Sequence, residues 1–126
     1  MSEGQYSGLT VSQLVARFAA MAIEQDEAEK DSAMGDIAKI NRLFVQMQTV
    51  AEELKNRPGD QRRALLPLFG HPNMQVRLKA AKATLAVAPQ EARQALESIA
   101  ASRWYPQAGD AGMCLWALDE GIFVPD

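Results

Sequence analysis

Residues that could carry out chemistry are few in this chain of 126 residues, and their spacing does not assemble a catalytic site. His71 and Cys114 are the only histidine and the only cysteine. A single histidine excludes a metal site built on two or more histidines. A Ser-His-Asp arrangement around it would have to form on a turn, because His71 lies within Gly-His-Pro-Asn. We therefore expect no cofactor, no metal and no enzyme activity.

An enzyme or lyase-like accessory with a site near His71 or Cys114 is the alternative. Proton transfer requires hydrogen-bond reach, so this alternative needs both side chains at one pocket. The simpler interpretation makes His71 a turn residue and Cys114 a packing residue, because no second cysteine or nearby histidine would lower the pKa of the thiol. The carboxylates of residues 24–31 lack the mixed ligand spacing of a calcium loop, and we interpret them as a solvated helix face.

Charge changes sign along the chain, whose net formal charge is -3. Residues 1–54 hold four basic and nine acidic side chains, whereas residues 55–103 hold nine basic and three acidic ones. The basic segment favours contact with an acidic protein, and the alternative is that the acidic flanks pair with it within the chain. Nucleic acid is disfavoured, because the total charge is negative and no aromatic platform lies among the lysines. The candidate contact residues are Arg62, Arg63, Lys79 and Lys82.

The elements that must position these residues are helices, because apolar residues recur at three- and four-residue intervals and no strand pattern occurs. Thr10 and Gln13 predict a capping box for a first helix that ends near residue 29. A second helix runs from Ile37 to the turn at residues 56–59. Four more helices are predicted. The third covers residues 61–69 after a cap at Asp60, and the fourth runs from a cap at Asn73 to about residue 88. The fifth begins at Pro89, and the sixth runs from Asp110 to Gly121, which ends it in a left-handed conformation.

The second and fourth predicted helices have the clearest apolar faces. The inner face of the second comprises Ile37, Ile40, Phe44, Met47, Ala51 and Leu54, widened by Leu43 and Val50. The fourth has two stripes about 160° apart at roughly 100° per residue, so we expect one to face the third helix and the other to face the sixth or the second. Gln75, Lys79 and Lys82 share one polar gap between the stripes. The stripes are Met74, Leu78, Ala81, Leu85 and Ala88, and Val76, Ala80, Ala83 and Val87.

An internal repeat and a family resemblance support stacked helices. The residues Leu66, Phe69, Ala81 and Leu85 recur 30 positions later as Leu96, Ile99, Ala111 and Leu115. The segment LLPLFGHPNMQVRLKAAKATLAV resembles HEAT and armadillo repeats at Pro72, Asn73, Val76 and Arg77. After residue 8, and notably in RRALLPL and SRWYPQAGDAGM, the chain resembles a small bacterial family of HEAT-like proteins, domain of unknown function 2019. The resemblance implies an all-α, right-handed HEAT/armadillo-like superhelix of about six helices and no established activity.

Roles for individual residues follow from this fold. We expect residues 1–8 to form a flexible tail and residues 9–126 to form a single domain. Asn73 is expected to cap a helix, and Arg77 to contact Asp110 or a neighbouring helix-end carbonyl. Trp104 is either a partner-binding residue or a seal over the terminal layer of the stack.

The predicted function is that of a small, non-catalytic protein-interaction module, because helical stacks present extended surfaces to macromolecules. The alternative within binding is an immunity-type or regulatory protein that sequesters one cognate partner. The absence of a long apolar run and of a signal sequence predicts a cytoplasmic address without membrane contact. The module is expected to be a monomer or a homodimer, and its partner an acidic protein.

Overall fold

The computed structural model describes residues 5–31 and 36–126, which contain helices and no strands. The all-α class is therefore confirmed for this part of the chain. Contacts group the protein into two compact units, Met1–Ala64 and Leu65–Asp126, where the sequence predicts a single domain over residues 9–126. The six helices of the described residues are α1 (Val11–Lys30), α2 (Ile37–Asn56), a 3₁₀ helix (Gln61–Gly70), α3 (Met74–Ala83), α4 (Pro89–Ala101) and α5 (Gln107–Asp119).

The N-terminal unit is an antiparallel pair of α1 and α2. The predicted capping box of α1 is confirmed: the Gln13 amide donates to Thr10 Oγ1 at 3.0 Å, and the Thr10 amide donates to Gln13 Oε1 at 2.8 Å. At the other end of α1, Gln25 Nε2 donates to the carbonyl of Ile40 at 3.1 Å, which joins the end of α1 to the start of α2. The helices therefore run in opposite directions.

The buried face of α2 differs from the predicted one. Ile37 and Phe44, two residues of the predicted inner face, are exposed. The exposed and the buried residues of α2 are both apolar and lie at helical spacing, so the periodicity of the sequence does not show which of them are buried. The buried residues of α2 are Leu43 and Val50, which widened the predicted face, together with Met47 and Leu54 of that face.

The segment that precedes α1 is an ordered turn over residues 5–8. Tyr6 is buried, and its carbonyl accepts from the Leu9 amide at 3.1 Å. The Arg57 guanidinium at the end of α2 donates to the carbonyls of Tyr6, Ser7 and Leu9, the last at 2.8 Å. Residues 5–8 of the flexible tail expected over residues 1–8 therefore contact the end of α2, and residues 1–4 lie outside the described residues.

The third helix is a 3₁₀ helix, not the expected α-helix. Gly59, in the predicted turn, has a left-handed backbone with a φ of 79°, and Asp60 follows with a φ of 50°. Pro67 lies inside the helix. In an α-helix the proline ring would clash with the carbonyl four residues earlier, and its missing N–H would interrupt the series of backbone hydrogen bonds. This gives a physical reason for the 3₁₀ geometry of the segment.

The C-terminal unit packs α3, α4 and α5 around one apolar core. Leu78, Ala81 and Leu85 of the first predicted stripe lie in this core with residues of α5, the predicted sixth helix, and also with residues of α4, a contact that the sequence did not predict. Val76 and Ala80 of the second stripe are fully buried as well. The core residues from the other two helices are Ala92, Leu96, Ile99, Ala111 and Cys114.

Two helix boundaries in this unit differ from the predicted ones. The helix α3 ends at Ala83 and not near residue 88, because the Thr84 hydroxyl donates to the Ala80 carbonyl at 2.8 Å and the chain then turns. The helix α5 begins at Gln107, so Asp110 lies in its first turn and is not its cap. Gly121 ends α5 in the predicted left-handed conformation, and the Ile122 amide donates to the Ala117 carbonyl at 2.9 Å. No helix within residues 5–31 and 36–126 combines the length and apolar character of a membrane span.

Candidate functional site

A groove with a volume of 380 Å³ lies between α3 and α4 in the C-terminal unit. Its α4 side follows from helical spacing: Glu91, Ala95, Ser98 and Ser102 are three or four positions apart and share one face. A neighbouring face of α4, roughly 100° around the helix, carries the buried Ala92 and Leu96 of the core, and Glu91, Ser98 and Ser102 on the groove face are exposed. The remaining lining residues are Phe69, Met74, Arg77, Gln94 and Ile99.

The α3 wall of the groove is held by hydrogen bonds at the start of the helix. Asn73 caps α3 as predicted, since its Oδ1 accepts from the amides of Gln75 at 2.9 Å and Val76 at 3.2 Å. The Asn73 amide donates to His71 Nδ1 at 3.0 Å, and Arg77 Nε donates to the His71 carbonyl. This carbonyl follows the end of the 3₁₀ helix, and it is the helix-end type of acceptor expected for Arg77. The guanidinium is thereby fixed at the groove wall.

Ser102, the last lining residue of the groove on the α4 side, is hydrogen-bonded to the backbone of Trp104. Its Oγ accepts from the Trp104 amide at 3.1 Å. The same hydroxyl donates to the Ile99 carbonyl at 2.6 Å, so it ties the connection between α4 and α5 to the last turn of α4. Trp104 is 60% exposed. This exposure favours the partner-binding alternative for Trp104 over a seal of the terminal layer.

The Arg62 side chain is engaged within the N-terminal unit. Its guanidinium donates to both carboxylate oxygens of Asp60, at 2.9 and 2.7 Å, and only 11% of the side chain is exposed. The hydrogen bond from this guanidinium lowers the pKa of Asp60 below its ordinary value. Arg63 is exposed and lies in the same unit.

The lysines of the predicted basic face lie in the C-terminal unit. Lys82 Nζ is 3.2 Å from Asp110 Oδ1, and Lys79 is half-buried. Gln75, expected on the same open face, is buried and its Oε1 accepts from Gln107 Nε2 at 2.9 Å. The salt bridge gives Asp110 a partner other than Arg77. The predicted polar strip is therefore partly internal.

His71 and Cys114 do not share the groove, because neither lines it. His71 uses its Nδ1 as an acceptor for the Asn73 amide, as a turn residue does. Cys114 is buried in the core, and burial raises the pKa of its thiol; Lys82 opposes this and Asp110 adds to it. A protonated, buried thiol is a poor nucleophile. Within the described part of the chain, no group of His, Cys, Asp and Glu is arranged to hold a metal ion.

An exposed apolar surface that the sequence did not predict lies on α5. Met113 and Trp116 are exposed, whereas Leu115 and Leu118 pack against the core. Tyr105 extends this surface, since a Cβ on Gly109 would lie 3.7 Å from its ring. The signal in the sequence was that α5 is apolar on both sides, where a surface helix ordinarily has one polar side.

Comparisons with known proteins identify the family. The model of the domain of unknown function DUF2019 matches residues 12–119. The crystal structure of the protein RPA1889 from Rhodopseudomonas palustris CGA009 is similar to this chain, with 56% sequence identity, a TM-score of 0.90, and coverage of 96% of this chain and 98% of that chain. No functionally curated protein matches the chain. Because the family match spans most of its length, the protein belongs to the DUF2019 family.

Proposed function

We propose that this protein is a small, non-catalytic protein-interaction module that holds an extended segment of an acidic partner in the groove between α3 and α4. One observation carries the proposal: the groove lining combines the apolar side chains of Phe69, Met74 and Ile99 with the guanidinium of Arg77. The exposed Trp104 follows in the chain and is tied by its backbone amide to Ser102 of the lining. Tryptophan is enriched among the residues that dominate binding energy at protein interfaces. A groove of 380 Å³ is within the range that holds a few side chains.

The lining of the groove suits a mixed apolar and acidic segment. Phe69, Met74 and Ile99 supply apolar contacts, and each of them also belongs to or packs against the core. Arg77 supplies a cation whose position is set by its bond to the His71 carbonyl. A guanidinium binds a carboxylate through paired, charge-assisted hydrogen bonds. The preferred ligand is therefore a peptide segment with a large apolar residue next to Asp or Glu.

The absence of catalysis is part of the proposal. The groove contains neither His71 nor Cys114, and burial keeps the Cys114 thiol protonated by raising its pKa. Nucleophilic or acid–base chemistry would require such a group within hydrogen-bond reach of the bound segment. Serine side chains line the groove, but the Ser102 hydroxyl is committed to the Ile99 carbonyl and has no histidine beside it.

Panning of a phage-displayed library of random peptides on the immobilised protein tests the ligand chemistry. We expect enriched peptides to carry Asp or Glu beside a large apolar residue, and to bind with affinities in the micromolar range. The variant Ser98→Arg places a long side chain in the groove at an exposed helix position, and we expect it to weaken binding of the enriched peptides at least tenfold. Trp104→Ala is expected to weaken it severalfold.

The matched control is Gln90→Arg, which adds the same side chain to the exposed surface of α4 outside the groove. It should bind the peptides as the wild type does. Equal binding of the peptides by the wild type and by Ser98→Arg would overturn the groove as the site. A basic consensus among the enriched peptides would overturn the acidic partner.

We also propose the finer fold and address that the sequence suggests, a short right-handed HEAT-like stack in the cytoplasm. The antiparallel pair of α1 and α2 and the Asn73 cap in a HEAT-like segment support the fold. An experimental structure superposed on HEAT repeats tests it, with a right-handed superhelical path as the expected result. Fractionation of the native host, followed by immunoblotting, tests the address.

A further inference from the structure

The outer face of α5 exposes large apolar side chains that do not line the proposed groove. We define this α5 outer face as Tyr105, Gly109, Met113 and Trp116, which are three or four positions apart. The exposed fractions of Tyr105, Met113 and Trp116 are 69, 64 and 53%. Apolar surface of this extent on a soluble protein ordinarily marks an interaction site.

The two ends of the α5 outer face carry opposite charges. Arg103 is exposed just before Tyr105, and Glu120 is exposed one turn after Trp116. The acidic residues on the flanks of α5 are paired within the unit: Asp110 with Lys82 at 3.2 Å, and Asp119 with Arg93 at 3.0 Å. The face is therefore an apolar strip with a cation at its start and an anion at its end, a pattern that is complementary to itself in reverse.

We propose that α5 is a homodimer interface, in which the outer faces of two copies pack antiparallel about a twofold axis level with Ala111. In this arrangement, residues at equal distances before and after Ala111 face each other across the axis. Met113, two positions after Ala111, therefore packs over Gly109 of the second copy, two positions before it. Trp116 packs on Tyr105 of the second copy, and Arg103 approaches Glu120. Each contact occurs twice, as a twofold interface requires.

The area available is sufficient for a specific dimer. Applied to the ordinary size of these side chains, the exposed fractions of Tyr105, Met113 and Trp116 correspond to roughly 400 Å² on one copy. Together with the exposed Ile122 and Val124, which follow α5, two copies would bury about 1,000 Å² in total, which is the lower bound for a biological interface.

Sedimentation velocity and light scattering of the full chain test the dimer at concentrations from about 1 to 200 µM, the range in which an interface of this size associates. We expect a concentration-dependent dimer for the wild type. Met113→Glu places a charge at the centre of the interface and should raise the dissociation constant at least tenfold. Val45→Glu is the matched control, because Val45 is a similarly exposed apolar residue on α2 in the other unit, and it should leave the dimer unchanged.

A charge exchange tests the antiparallel arrangement. Arg103→Glu and Glu120→Arg should each weaken the dimer severalfold, because like charges then meet twice across the axis. The double variant restores opposite charges and should recover most of the wild-type affinity. A wild type that is monomeric at 200 µM, or a Met113→Glu variant that dimerises like the wild type, would overturn the proposal; a double variant without recovery would overturn the antiparallel pairing. The Ser98→Arg groove variant should still dimerise, so the groove function and the dimer are tested separately.

Discussion

Asp60 and Arg62 form a pair whose effect on stability should depend on pH. Asp60 has a left-handed backbone, and both of its carboxylate oxygens accept hydrogen bonds from the Arg62 guanidinium. These bonds lower the pKa of the carboxyl group, with a smaller effect from the Arg62 amide that also donates to it. A carboxyl group with a lowered pKa in the folded state stabilises the fold above its ordinary pKa, and this contribution is lost as the pH falls through the folded value.

We predict that Asp60→Asn lowers the stability of the protein at pH 7 but not in acid. Asparagine tolerates left-handed backbone, so the substitution removes the charge without adding strain at this position. Urea unfolding followed by circular dichroism should show a lower midpoint for the variant at neutral pH. This difference should shrink as the pH falls below about 4, the ordinary range of an aspartate. A difference that stays constant from neutral pH to about pH 3 would contradict the linkage.

The same pair shows how far residue roles could be predicted. Asp60 was expected to act as a cap, and the Arg62 amide does donate to its carboxylate at 3.3 Å. The guanidinium that occupies the same carboxylate was expected at a partner-binding surface instead. Side-chain pairing of this kind depends on the φ angles of the turn, which residue types alone indicate only at glycine.

At the scale of helices, most boundaries were predicted to within one or two residues, and the exceptions are the beginning of α5 and the end of α3. Thr10 and Asn73 begin helices as expected, because a cap is a hydrogen bond between a side chain and amides two or three residues away. The early end of α3 arises from the Thr84 hydroxyl, which bonds to the backbone of the preceding turn. Such a bond competes with the continuation of a helix that periodicity favours.

We predict that Asn73→Ala destabilises the protein by about 1 kcal/mol, because the amides of Gln75 and Val76 lose their acceptor. Asn73→Asp should keep most of the stability, since a carboxylate accepts the same bonds and suits the positive end of the helix dipole. The free energies of unfolding in urea measure both effects. Asn41→Ala, on the exposed surface of α2, is the control and should change the stability by less than about 0.5 kcal/mol. Equal losses in the two Asn73 variants would contradict the capping role.

At the scale of the whole molecule, burial separates apolar residues that look equivalent in sequence. Leu96 on α4 is fully buried in the core of the C-terminal unit, whereas Met113 on α5 is mostly exposed. Both lie at positions of apparent helical periodicity. Only the packing of α3, α4 and α5 assigns one of them to the core and the other to the α5 outer face.

We predict that Leu96→Ala lowers the free energy of unfolding by about 2–5 kcal/mol, because it leaves a cavity among three packed helices. Met113→Ala should change it by less than about 0.5 kcal/mol when the protein is dilute enough to be monomeric. Urea titrations of both variants at about 1 µM protein measure the contrast. Comparable losses in the two variants would show that the assignment of core and surface is wrong.

The sequence by itself determined the helical class, most helix beginnings, and the residues that cap and end them, because these depend on hydrogen bonds between near neighbours. It also identified Arg77 and Trp104 as residues of interest, of which Arg77 lines the groove. The tertiary structure decided which of two apolar lines on α2 is buried and that α5 presents a second apolar face. It also decided that Gln75 is internal and that α3 and α4 enclose a groove. A residue becomes buried only when a second surface packs against it, so burial is decided when helices that are distant in sequence come together.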